Sequence, residues 1–382
     1  MNRYGAGLST EPRAAEAAGR AAVDAAAALG GAEPDLVWVF ASRAYGDEAA
    51  DVADRVLAEL GEVPLVGVVA ADGIIGTARE VELEPAVAVW AASLDDAEVA
   101  PFALQAQGTS DGMVISGWPE SAPLGADAVC LILADPYTFP ADQLLQGLAG
   151  EAPDLAVAGG LAGGGAPGAA RLLLGREVHT QGAVGAVVAA PGLRVAVSQG
   201  CRPVGQELVV TGADGNAILE LGGRPPMERL RDLVAGLSAP DRVLASQGLL
   251  AGLVVDENRP EYGVGDFLVR VILGRDEETD ALLVGDVPRV GQTFRFHVRD
   301  AASAEVELRH LVGALAPAGG ALVFSCNGRG EAMFGAPDRD AEIVDELLAA
   351  PAAGLFCQGE IGPIGGRNHL HGFTATVVAF PR

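Results

Sequence analysis

One arrangement recurs along this chain and restricts what it can fold into: an apolar strand, a polar loop, a helix, a second apolar strand, a glycine turn and a returning strand. In the first occurrence, residues 35–42 are a near-continuous apolar run, residues 47–60 carry Val52, Val56, Leu57 and Leu60 at helical spacing, and residues 64–69 supply the second strand. Asp72-Gly73-Ile74-Ile75-Gly76 is then a turn signal, and residues 85–94 return as a strand. The second occurrence runs from a strand at 127–135 through a helix near 141–148 to a strand at 154–160, with its turn at 159–165. The third has strands at 321–326 and 354–357, a helix around 341–348, a turn at 359–366 and a return within 370–380. Three related β-α-β units result. The fold class is therefore α/β with added antiparallel strands, a mixed α+β chain.

A long β-rich tract separates the second and third units. Strands are expected at 182–190, 193–198, 207–211, 249–255, 267–273, 281–283 and 293–298, with helical segments at 226–237 and 240–244. The sequence places a domain boundary at Gly222-Gly223, giving domains 1–222 and 223–382. Residues 293–299 alternate strictly: Phe294, Phe296 and Val298 share one face, and Arg295, His297 and Arg299 share a second face expected to be wet. At the N-terminus a short strand at 4–8 leads to a helix that Ser9 or Thr10 would cap, with Pro12 in its first turn.

With half of its 382 residues hydrophobic, the chain can bury a sizeable core in each of two domains. Its formal charge is −26 and it contains no lysine. Such a surface repels phosphate backbones, which excludes nucleic acid and anionic membranes as partners. No apolar run approaches the roughly 18 residues a membrane helix needs, and the first residues lack a signal-peptide core, so a cytoplasmic location is expected. Cys130, Cys201, Cys326 and Cys357 are widely spaced without a CxxC pair, which reads as four reduced thiols.

Several residues invite a chemical role. The glycines from Gly159 and Gly160 to Gly165 lack both Walker and GxGxxG spacing, and a strand rather than a helix follows them, so a turn or bulge beside a pocket is favoured over a phosphate cradle. Cys326 stands where a strand leaves its sheet, just before Asn327-Gly328-Arg329-Gly330, and is either a pocket residue or a structural thiol. Cys357 reads as structural. Glu360, framed by Gly359 and by Ile361-Gly362-Pro363, is a carboxylate in an apolar setting that needs a partner: Arg329, a cationic ligand group, or the N–H groups of its own loop. Arg202, between Cys201 and Pro203, can make bidentate bonds to a carboxylate from a ligand or from the protein. His369 and His371 share a strand face, yet no acid or cysteine completes a metal spacing, so no metal is expected. No nucleophile, base and orienter stand in recognisable order, and no catalytic residue is assigned.

Three ordered matches in each half give the chain its resemblance. The runs 37–42, 159–163 and 199–205 resemble the N-terminal FIST domain; the runs 324–330, 359–363 and 370–374 resemble the C-terminal FIST domain. The family is named for F-box and intracellular signal transduction proteins. The resemblance implies a sensory module that binds small ligands, amino acids among them, and works through a signalling protein; here no residues remain for an attached output domain or an F-box. The expected ligand site joins Gly159, Gly160, Cys201 and Arg202 to Cys326, Arg329, Gly359, Glu360, His371 and Thr374. Arg202 and Arg329 would take an anionic group, Glu360 an amino group, and Cys326 and His371 would form walls. Three alternatives stand beside it: a thiol enzyme with Cys326 as nucleophile and His371 as base, a protein-interaction scaffold, and a haem-based gas sensor. The cofactor is otherwise unknown, and none is required by the sequence.

Overall fold

The apolar runs near residues 35–42 and 64–69 become the strands Leu36–Ser42 and Leu65–Ala71, which pair in parallel because the helix Ala49–Leu60 carries the chain back between them. The same unit recurs as Ala128–Ala134 and Ala156–Leu161 around the helix Ala141–Glu151, and as Gly320–Cys326 and Ala352–Cys357 around Arg339–Leu348. Beside the first strand of each pair runs an antiparallel neighbour: Val87–Ser93, Ala183–Ala189 and Ala375–Phe380 respectively. The architecture is a computed structural model that describes residues 1–110, 112–162, 165–263 and 265–382.

The hairpin that leaves each unit does not stay in its own sheet. Gly73–Gly76 with Arg79–Glu82 joins Ala352–Cys357; Leu172–Leu174 with Glu177–His179 joins Leu65–Ala71; Glu360–Ile364 with the strand after it joins Ala156–Leu161. Three sheets thus exchange one hairpin each in a cycle. The segments expected as turns at 72–76, 159–165 and 359–366 are largely strand, because each pairs with a neighbouring sheet: Gly73–Gly76 and Glu360–Ile364 are strands, and Gly159 and Gly160 lie inside Ala156–Leu161, while Gly163 and Gly164 lie outside the described residues.

Alternation within the strands explains the burial. Trp38, Phe40, Trp90, Leu131, Leu133, Phe324 and Leu355 point from all three sheets into one shared core. The opposite faces take the helices: Ala17, Ala21, Val52 and Val56 on the first sheet, Leu144 and Leu148 on the second, Leu308, Val312 and Val344 on the third. A strand covered on both faces reads as the uninterrupted apolar run seen in the sequence. The helix carrying Leu308, Ala301–Leu315, and the long strand Glu98–Thr109 are not marked in the sequence. The N-terminal helix begins at Ala14 with Arg13 at its cap, because Ser9 stays in the strand Arg3–Ser9 and its hydroxyl accepts the Glu11 N–H instead.

Contacts divide the chain into two units. One comprises Met1–Val197, Leu308–Leu370 and Thr374–Arg382; the other comprises Ser198–Glu307 and His371–Phe373. The second unit is a closed barrel of Cys201–Asp214, Ala217–Leu221, Leu282–Val284, Phe267–Arg275, Leu249–Val254 and Thr293–Arg299, with the helices Pro226–Gly236 and Ala239–Ser246. Gly222 and Gly223 are a turn inside this barrel unit, both at positive φ. Phe294, Phe296 and Val298 fill the barrel as the alternation predicts. His297 departs from the expected wet face. It is 1% exposed and its ring stands 4.9 Å from that of Phe267, in a second apolar layer that covers this side of the strand. No helix among the described residues is long and apolar enough to cross a membrane.

Candidate functional site

The central strands of the third sheet end side by side, with Ser325 opposite Phe356 and Cys326 opposite Cys357. Carboxyl ends of parallel strands are where α/β sheets form ligand sites. After Cys326 the chain turns tightly: the Arg329 N–H donates to the Cys326 carbonyl at 2.8 Å, and the Gly328 N–H donates to Cys326 Sγ at 3.3 Å. Gly330 sits at φ 67°, and a Cβ there would lie 2.5 Å from Glu82 Oε1. That carboxylate instead accepts the N–H of Glu331 at 2.8 Å.

This turn aims Arg329 inward. Its side chain is wholly buried, and Nε and Nη2 meet Asp340 Oδ2 and Oδ1 at 2.7 Å each. Ser325 donates to the same Asp340 Oδ2 at 2.7 Å, and the guanidinium lies 5.3 Å from the Phe334 ring centre. Asp340 opens the helix Arg339–Leu348, where the helix dipole favours a negative charge. The donors that would grip a ligand carboxylate are thus held by a carboxylate of the protein. Sequence reasoning missed Asp340 because a polar residue in a helical first turn looks like any solvated one.

Glu360 begins its strand as the register partner of Gly160 and is also wholly buried. Its Oε2 accepts the Thr374 N–H at 3.1 Å and the Thr374 hydroxyl at 2.8 Å, while Oε1 has no hydrogen-bond partner among the described residues. Burial pushes this carboxyl up to about 8, against the pull of Thr374, the Arg329 charge and the Cys326 thiol. Glu80, whose Oε1 accepts the Ala341 N–H at 3.0 Å, is likewise pushed up to about 8 by burial and by the Asp340 charge. Cys357, sealed beside Glu360, is raised well above the ordinary thiol by burial and by those two neighbours, Glu360 and Cys326.

Gly159 and Gly160 have steric rather than phosphate-binding reasons. A Cβ on Gly159, at φ 145°, would lie 1.9 Å from the Ile132 carbonyl oxygen; one on Gly160 would lie 2.3 Å from Cys357 Sγ. Gly359 contributes its carbonyl, which accepts the Leu161 N–H at 2.7 Å. The structure therefore brings Gly159, Gly160, Cys326, Arg329, Gly359, Glu360 and Thr374 into the three-sheet unit.

Cys201, Arg202 and His371 belong to the barrel unit. Cys201 is buried among Leu250, Val254 and Phe267. Arg202 bridges Asp300 through Nε at 2.6 Å and Asp241 through Nη2, so its carboxylate partners come from the protein. Cys326 and His371, the proposed nucleophile and base, fall in different compact units. The described residues offer no cluster of three histidine, cysteine or acidic side chains fit for a metal ion.

A cavity of about 270 Å³ opens over the strand ends, lined by Arg43, Asp72, Gly73, Glu82, Leu83, Asn327 and Phe356. Arg43 Nε stands 3.2 Å from Asp72 Oδ1, and Asn327 Nδ2 points to Asp72 Oδ2 at 3.5 Å. Leu83 holds φ 62° and is 85% exposed, a costly backbone for a leucine at the rim. In the sequence Asp72-Gly73 reads only as a turn, and Arg43 carries no mark of a site. A larger cavity of about 440 Å³ in the barrel unit is lined by Leu208, Arg229, Leu233, Asp241 and Phe296 among others. Neither cavity presents a histidine, cysteine, methionine or tyrosine, so neither supplies the axial ligand that haem requires.

These ionisations set opposite pH slopes. A carboxyl held at about 8 in the folded chain, against an ordinary 4.5, binds a proton that the unfolded chain has released. Stability from Glu360 and Glu80 is thus full below about pH 4.5 and is lost as pH rises from there to about 8, by about 1.4 kcal/mol for each unit of difference. His297, lowered to about 4 by burial, loses stability as pH falls below its ordinary 6.5. Urea midpoints should decline between about pH 6.5 and about pH 8 in the native protein and decline less in Glu360→Gln. Equal slopes in the two proteins would refute the buried, protonated Glu360.

The FIST N domain model matches residues 35–224 and the FIST C domain model matches residues 226–363. The chain is 46% identical to Uncharacterized protein Mb0898c of Mycobacterium bovis over 387 residues, which covers 99% of this chain and 98% of that one. It is 45% identical to Uncharacterized protein Rv0628c of Mycobacterium tuberculosis over 387 residues, 99% of each chain. FIST domains are associated with signal transduction. With both domain models matched in tandem and the relatives aligned from end to end, the chain belongs to the FIST family.

Proposed function

We propose that this FIST protein recognises a small zwitterionic metabolite, an amino acid or a close relative, in the cavity over the strand ends, and passes occupancy to a separate signalling protein. The observation that carries this reading is the gathering of opposite charges in one small cavity, where Arg43, Asp72 and Glu82 line the wall together with Phe356 and the Asn327 amide. A ligand carboxylate meets Arg43 and its ammonium meets Asp72 or Glu82. The Arg43–Asp72 pair is partly exposed, so it contributes only about 0–1 kcal/mol and a ligand can replace it at little cost. Asn327 and Phe356 adjoin Cys326 and Cys357 in sequence, so Cys326, Arg329, Glu360 and Thr374 hold the strand ends from beneath. Gly159, Gly160 and Gly359 fix the exchanged edge. Cys201, Arg202 and His371 belong to the barrel unit and stand outside this pocket's lining. The net charge of −26 disfavours nucleic acid and anionic membranes as partners.

Thermal-shift and calorimetric titration with a panel of free amino acids tests the reading. One or a few should raise the melting temperature, and Asp72→Asn and Arg43→Ala should each weaken binding by about tenfold or more, the scale of a charged hydrogen bond. Unchanged affinity in both variants would refute the site.

A further inference from the structure

Cys326 and Cys357 are direct neighbours across a parallel ladder, so their side chains leave the sheet on the same face. Adjacent strands lie about 4.8 Å apart, within the separation of about 4.4–6.8 Å between Cα atoms that a disulfide spans. Both are free thiols in unlike settings. Cys357 is wholly buried against Gly160, and burial with its acidic neighbour keeps it protonated. Cys326 is 8% exposed at the end of its strand, and its sulfur accepts the Gly328 N–H.

We propose that Cys326 and Cys357 form a reversible disulfide, with Cys326 as nucleophile towards hydrogen peroxide or a small organic hydroperoxide and Cys357 as the resolving thiol. The Cys326 thiolate attacks one peroxide oxygen; the S–O bond forms, the O–O bond breaks, and the departing hydroxide or alkoxide takes the proton of the Glu360 carboxyl. The peroxide is reduced to water or an alcohol, and Cys326 is oxidised to the sulfenic acid. Cys357 sulfur then displaces the sulfenic oxygen, the S–S bond forms, and that oxygen leaves as water with the Cys357 proton. Glu360 regains the proton that Cys326 released on ionising. Because Asn327 and Phe356 flank the pair and line the cavity, the crosslink also fixes the strand ends beneath it; this last consequence alone rests on the ligand reading above.

The test treats the full chain with hydrogen peroxide, denatures it, blocks remaining thiols with N-ethylmaleimide and maps peptides by mass. The expected result is loss of two hydrogens, with Cys326 and Cys357 protected until dithiothreitol is added and Cys130 and Cys201 alkylated throughout. Cys357→Ser should leave a dimedone-reactive sulfenic acid at Cys326, and Glu360→Gln should slow oxidation about 100-fold. Alkylation of both Cys326 and Cys357 after peroxide, or over-oxidation of Cys326 with Cys357 still free, would overturn the proposal whatever the ligand titrations show.

Discussion

Arg329→Met should destabilise the protein by about 3–5 kcal/mol, the cost of stranding a buried charge. The substitution keeps much of the side-chain volume but leaves Asp340, 1% exposed, with no bidentate partner. Ser325 still donates one hydrogen bond to Asp340, which is too little to hold a carboxylate in an apolar setting. The double variant Arg329→Met with Asp340→Leu should recover most of the loss, because removing both members also removes the desolvation cost. Urea unfolding followed by circular dichroism checks both. A single-variant loss below about 1 kcal/mol, the value of an exposed pair, would contradict the buried geometry.

Gly159→Ala is the second large effect, at about 3 kcal/mol or more. The added methyl would meet the Ile132 carbonyl oxygen at 1.9 Å, and that oxygen belongs to the central strand of a sheet covered on both faces. Backbone conformation adds to the clash, since φ 145° is a region that side chains with a Cβ avoid. Gly147→Ala makes the matched control. Gly147 lies in the helix Ala141–Glu151 with nothing within 4 Å of a new Cβ, so alanine there should stabilise by about 0.5–1 kcal/mol. Equal effects at the two positions would show that the crossover at Gly159 is not under steric constraint.

Much of this architecture was legible because its strands are covered on both faces. The three β-α-β units stand out from apolar runs such as Leu36–Ser42 and Gly320–Cys326, where local pattern and burial agree. The hairpin exchange was not legible. Which sheet Gly73–Gly76 joins is decided by a pairing with Leu355 and Gly354, and nothing local to residues 73–76 encodes so distant a partner. The extent of the barrel was hidden for the same reason: its closing strands, Cys201–Asp214 and Thr293–Arg299, are far apart in sequence.

At the site, Arg329 and Glu360 showed themselves through charge set among glycines and apolar residues. Asp340 and Glu80 did not, since each reaches its buried position from a segment that reads as polar surface. Arg43 and Asp72 were passed over because a cavity made at the meeting of an exchanged hairpin and a strand end has no sequence spacing of its own.

The recognition claim is tested most directly by native mass spectrometry of the full chain incubated with free amino acids, beside the Arg43→Ala, Asp72→Asn double variant. The account predicts one bound amino acid per native chain and none on the double variant. An adduct of the same mass and occupancy on both proteins, or none on either, would contradict it.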